Sequence, residues 1–139
     1  EILIGLVGSE MCIRDSARTV KGKEALDLPL FSDMMAAALD GIQSLGGAKV
    51  GDKTLVDTLT PAVESLKKSV EAGDDFSEAL NKMEEAAEAG KESTKDLVAK
   101  LGRASRLGER SRGVLDAGAT SCCLIIKALS QGIKELLQA

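Results

Sequence analysis

Between Phe76 and Leu101 one pattern repeats. Phe76, Leu80, Met83, Ala87, Gly90, Thr94, Leu97 and Leu101 are apolar or small and stand alternately four and three residues apart. That spacing lines one face of an α-helix and suits no strand. Asp75, followed three residues later by Glu78, resembles a capping box for its start. The middle of the stripe is small (Ala86, Ala87, Ala89, Gly90). It would admit a close helix–helix contact or the approach of a ligand. Aromatic residues make up 1% of the chain, two Phe with no Trp or Tyr. A core of Leu, Ile, Val, Ala and Met favours packed helices over a β-sandwich, whose strands draw on aromatic and β-branched residues.

The rest of the chain divides in the same way. After a polar lead-in closed by Pro29, Ser32 can cap a helix carrying Met34, Met35, Ala38, Leu39, Ile42 and Leu45, which Gly46-Gly47 would stop. Asp52 is the predicted N-cap of a second helix with Leu55, Val56, Leu59, Val63, Leu66 and Val70 along one stripe. Pro61 inside it predicts a kink or restart, and Gly73 an end. Beyond a long loop, Gly102–Gly118, a last helix is expected from about Ala119 with Cys122, Ile126, Leu129, Ile133 and Leu136 on one face. The expected fold is all-α, with four substantial helices and no internal repeat.

Composition excludes several functions. At 139 residues the chain fits one domain able to bury a core. Its net charge of −4 argues against nucleic-acid or anionic-membrane partners. With no His, it offers no imidazole for acid–base catalysis or metal ligation. Cys12, Cys122 and Cys123 lack metal-site spacing and read as small apolar residues in a reducing, cytoplasmic setting.

The N-terminus stands apart. "EILIGL" has no basic flank or cleavage site for a signal peptide and is too short for a membrane span. The string "LVGSEMCIRDS", Leu6–Ser16, coincides with the translation of a transposase sequencing adapter. Residues 1–16 are therefore expected to be adapter-derived, with residues 17–139 the biological sequence. Genomic DNA encoding "EMCIRDS" upstream of Ala17 would overturn that expectation.

Two segments are unusual as mere connectors. "GGAKVGDKT", Gly46–Thr54, places three Gly and Lys53 just before a predicted helix start, where unpaired amides favour an anion. It lacks Walker A spacing, so taken alone it reads first as an ordinary helix–helix turn. "GRASRLGERSRG" sets Arg103, Arg106, Arg110 and Arg112 among Gly and Ser in a loop longer than a helix–helix link requires. Forked guanidinium donors suit phosphate oxygens. The loop continues through "DAGATS", which offers the Gly118, Ala119 and Thr120 amides. Asp116 can cap the last helix or accept from a ribose or adenine. The other readings of the loop are a solvated basic surface and a nucleic-acid contact.

The two segments, extended as "GGAKVGDKTLVDTLTPAVESL" and "KLGRASRLGERSRGVLDAGATS", resemble the nucleotide-binding L subunit of dihydroxyacetone kinases and the C-terminal domain of the single-chain enzymes. The likeness runs from about Gly22 to Leu137. It implies a barrel of antiparallel helices, here incomplete, that holds ADP or ATP with Mg2+ at one end. By matched position the nucleotide contacts would be Gly46, Leu55, Arg103, Asp116, Ala117 and Gly118, with Lys53 and Thr54 in the same motif. The implied reaction is phosphoryl transfer to a small ketose held by a partner subunit or domain. The donor would be ATP or a phosphotransferase-system protein. A kinase of another ketose, a fatty-acid kinase and a helical interaction module are the alternatives.

The sequence departs from the family pattern at several places. Leu55 stands for a usual Met, Arg106 for Tyr, and Val114-Leu115-Asp116-Ala117 for His-Gln-Asp-Pro. The family's Asp-rich magnesium motif and the Gly/Ser phosphate loop after it do not occur in this sequence. The chain is thus expected to be a C-terminal piece of the domain, inactive by itself.

Overall fold

The computed structural model describes residues 13–139, all helix, turn and loop. A helical segment over residues 13–20 (α1) precedes α2 (Leu28–Gly46), α3 (Val56–Ala72), α4 (Phe76–Ser93) and α5 (Ala117–Gln138). Short 3₁₀ turns follow α4 at Thr94–Asp96 and occupy Arg103–Ser111. The four long helices are the four read from the sequence. The expectation for residues 1–16 falls mostly on positions outside the described residues; residues 13–16 belong to α1.

α3 is the central element and packs against α2, α4 and α5. Its Val56, Leu59, Val63 and Leu66 are buried, as the stripe predicted, together with Ala62, while Leu55 and Val70 at the stripe's ends are half-buried. Around them close Phe31, Met35 and Leu39 of α2, Ala79, Leu80, Met83 and Ala87 of α4, and Cys123 and Ile126 of α5. Each fully buried Leu or Met contributes roughly 1.5–3 kcal/mol. The Phe31 and Phe76 rings meet with centroids 5.7 Å apart. No helix of the described residues is long and apolar enough to cross a membrane.

Several local expectations are corrected. Asp27, not Ser32, caps α2: its carboxylate accepts from the Leu30 amide at 2.9 Å, and Pro29 lies in the first turn, where a missing N–H costs nothing. Ser32 is buried. Asp52 does not cap α3. Leu55 occupies that position without a side-chain bond, and the buried Asp57 reaches back to the Thr54 and Gly51 amides at 2.8 and 2.6 Å. Asp52 instead accepts from the Lys49 amide and pairs with Lys100.

α3 runs through Pro61 without a restart. α4 stops at Ser93, so Leu97 lies beyond it in extended backbone and Leu101 is exposed. α5 starts at Ala117, and the residues it buries are Ala119, Cys123, Ile126 and Ser130. Leu129 and Leu136, expected inside, are exposed. The ends at Gly47 (φ 63°) and Gly73 (φ 74°) are left-handed caps, as read. Asp75 caps α4 through the Ser77 and Glu78 amides.

Candidate functional site

The loop before α3 and the segment between α4 and α5 meet at one rim. The Lys100 amide donates to the Asp52 carbonyl at 3.1 Å. The Lys53 ammonium reaches across to the carbonyls of Leu97, Ser111 and Val114 at 3.2, 2.5 and 2.6 Å. Gly118 lies against Leu55: a Cβ added there would stand 3.5 Å from the Leu55 amide nitrogen. The Thr58 hydroxyl donates to the Ala119 carbonyl at 3.2 Å. The N-terminal turns of α3 and α5 are therefore side by side, and their positive dipole ends share one edge of the bundle.

The end of α4 completes the rim. The Asp116 amide donates to the Thr94 hydroxyl oxygen at 3.0 Å, while the Asp116 carboxylate caps α5 by accepting from the Ala119 amide at 2.8 Å. The long loop expected between Gly102 and Gly118 is ordered as 3₁₀ turns broken at Gly108 (φ 54°). It is pinned from inside by Ser111, whose hydroxyl accepts from the Ala99 amide at 2.9 Å and donates to the Gly108 carbonyl. From outside, Arg112 donates to the Asp96 carbonyl and the Gly113 amide to that of Lys95. Arg103, Arg106 and Arg110 are carried on the exposed surface of these turns.

Of the residues singled out in the sequence, Lys53, Leu55, Asp116 and Gly118 come together. Thr54 adjoins them; its hydroxyl accepts from the Val56 amide at 3.2 Å. Arg103 is exposed on the segment that Lys53 holds, Ala117 is exposed at the start of α5, and Gly46 is exposed at the C-terminus of α2. Lys53 is only 2% exposed, with its ammonium turned inward onto carbonyls. Sequence reasoning missed Asp57, Thr58, Thr94 and Ser111, the polar residues that build the rim from beneath. The one signal for Asp57 was a carboxylate beside the apolar stripe at a helix start.

Below the rim, a polar seam fixes α5 on α4. Glu88 takes Lys127 at 2.6 Å, Lys91, and the Cys123 thiol at 3.3 Å. These donors, Lys127 foremost, hold its carboxyl down to about 2. Burial, and then the neighbouring Glu88, push the Cys123 thiol up, away from reactivity. Glu84 accepts from Ser130 and from Lys134 one turn further on. An open groove between α1 and α2 is lined by Asp15, Asp40, Gly41, Ser44 and Leu45.

The model of the DAK2 domain matches residues 9–131. The chain is 38% identical over 120 residues to the ADP-binding subunit DhaL of the PEP-dependent dihydroxyacetone kinase of Escherichia coli (strain K12), covering 86% of this chain and 57% of that protein. It is 34% identical over 116 residues to the ADP-binding subunit DhaL of PEP-dependent dihydroxyacetone kinase 2 of Listeria innocua (84% and 53%). To the L-erythrulose 1-kinase of Mycolicibacterium smegmatis it is 42% identical over 101 residues (71% and 17%). The chain thus spans about half the length of the DhaL subunits it matches. With a match across most of its length, the chain belongs to the DAK2 domain family.

Proposed function

We propose that the chain is the nucleotide-binding part of a ketose kinase and that ADP or ATP sits at the Leu55–Gly118 rim. The observation that carries this reading is the abutment of the α3 and α5 N-termini beside the arginine-bearing turns. Anions are favoured at such helix ends, and a diphosphate can engage both. The Ala117 and Gly118 amides take phosphate oxygens, and Arg103 adds forked donors. Leu55 offers apolar surface to the purine, while Asp116 holds α5 in register. Thr54 adjoins Leu55, and Gly46, at the C-terminus of α2, is a further contact in this reading. The names of the relatives, ADP-binding subunits and an erythrulose kinase, support a nucleotide and a short hydroxy ketone as the reacting pair.

Among the described residues no group of three or more His, Cys, Asp or Glu side chains could hold a metal ion. The Mg2+ implied by the resemblance thus finds no ligand set there. What these residues supply is position and charge neutralisation, the main protein contributions to phosphoryl transfer. The ketose would be presented by a substrate-binding subunit or domain, in the cytoplasm. The phosphoryl group would come from exchanging ATP or from a phosphotransferase-system protein that rephosphorylates bound ADP. Retention of ADP through dialysis of the full-length protein separates the two.

Calorimetric titration of ADP into full-length protein tests the reading. Wild type should bind, and Arg103→Ala should lose about 1.5–3 kcal/mol, the usual worth of a hydrogen bond to a charged group. Equal affinity in both would remove Arg103 from the site, and no binding by wild type would end the proposal.

A further inference from the structure

Lys53 combines three features that an ordinary loop lysine lacks. It is 2% exposed. It is the one non-glycine residue with positive φ among the described residues, at 61°. Its Nζ donates to three main-chain carbonyls, Leu97, Ser111 and Val114, which lie on both sides of the arginine-bearing turns. A left-handed backbone is costly for a residue with a Cβ, and glycine would adopt it freely. Lysine at this position is therefore explained by its side chain. An ammonium has three N–H donors, and here each has an acceptor.

We infer that Lys53 is a positioning residue: it ties together the two ends of the segment from Leu97 to Val114 and so sets where Arg103 and the start of α5 stand. This rests on the nucleotide reading above. The ammonium touches no ligand in this role. It acts by closing the Arg103–Ser111 turns against the loop before α3; the secondary ties are the hydrogen bond from the Lys100 amide to the Asp52 carbonyl, the Ser111 hydroxyl, and the bonds from Arg112 and the Gly113 amide to the Asp96 and Lys95 carbonyls. Held only by those, the turns would open, and an anion would have to order them on binding.

The test is made on the full-length protein with ADP as probe, by calorimetry and by limited trypsin digestion. Lys53→Met keeps most of the length of the side chain and removes every ammonium donor. It should weaken ADP at least tenfold and speed cleavage after Arg103, Arg106 and Arg110 in protein that still melts cooperatively. Lys53→Arg, which keeps a cation with N–H donors on a bulkier planar head, should weaken ADP less than Lys53→Met does. Leu66→Ala, a core truncation, should lower the melting temperature without changing either readout at a temperature where it is folded. Wild-type affinity and cleavage in Lys53→Met, or an Arg variant as weak as Met, would overturn the inference while leaving the nucleotide reading intact. Wild-type protein that binds no ADP would sink the nucleotide reading itself. Should Lys53→Met fail to fold, Ser111→Ala, which loosens the same turns, takes its place. It should weaken ADP at least threefold, and unchanged affinity would overturn the inference.

Discussion

Gly90 on α4 lies against the Asp57 carbonyl on α3: a Cβ built on Gly90 would stand 2.3 Å from that oxygen. The carbonyl is the one that Pro61, lacking an N–H, cannot serve four residues on. The same Cβ would stand 2.8 Å from Pro61 Cγ and 3.0 Å from the Thr58 Cα. Helix contact, proline and glycine therefore form one unit, and α3 passes Pro61 unbroken. Gly90→Ala should lower stability by about 1–3 kcal/mol, the usual cost of overpacking, despite the higher helix propensity of alanine. Urea denaturation measures it. A variant as stable as wild type would show that α3 and α4 can separate freely.

Asp116 holds the first turn of α5 through the Ala119 amide. Asp116→Ala should cost about 1 kcal/mol, as lost N-caps do, and Asp116→Asn much less. If the carboxylate acts only as a cap, ADP affinity should follow the same order. If Asn binds ADP as weakly as Ala, the charge itself contacts the ligand.

The Glu88 seam predicts a pH dependence. The folded carboxyl, held to about 2 by Lys127, Lys91 and the Cys123 thiol, lies well below its ordinary value of 4.5. A depressed carboxylate contributes stability above its unfolded pKa, and this is lost as pH falls through the folded one. Thermal melts of wild type should therefore decline between about pH 4.5 and pH 2. Glu88→Gln should reduce that slope while lowering stability near neutrality. An unchanged slope would place the acid sensitivity elsewhere.

What the sequence made legible was local. The α4 stripe as far as Gly90, the Asp75 cap and the stops at Gly47 and Gly73 depend on residues within a turn of one another, and each stands where expected, whereas Leu97 and Leu101 fall beyond the end of α4. Reading Pro29 as the close of the lead-in misplaces the cap of α2, because proline is equally at home in a first turn. The inward face of α5 was misplaced for a different reason. That helix has apolar residues on more than one face: Leu124, Ile125, Leu129 and Leu136 are exposed while Cys123 and Ile126 are buried. Periodicity allows either stripe, and Glu84 and Glu88 on α4 select the one that brings Ser130, Lys127 and Lys134 to them. The sequence marks Lys53 by its motif but not its burial, because its three acceptors lie 44 to 61 residues away.

Photolabelling of the full-length protein with an azido-ADP, followed by peptide mapping, tests the central claim most directly. The account predicts label that ADP competes away, on Leu55 or within Arg103–Gly118. Label confined to the groove between α1 and α2, or label that ADP does not displace, would contradict it.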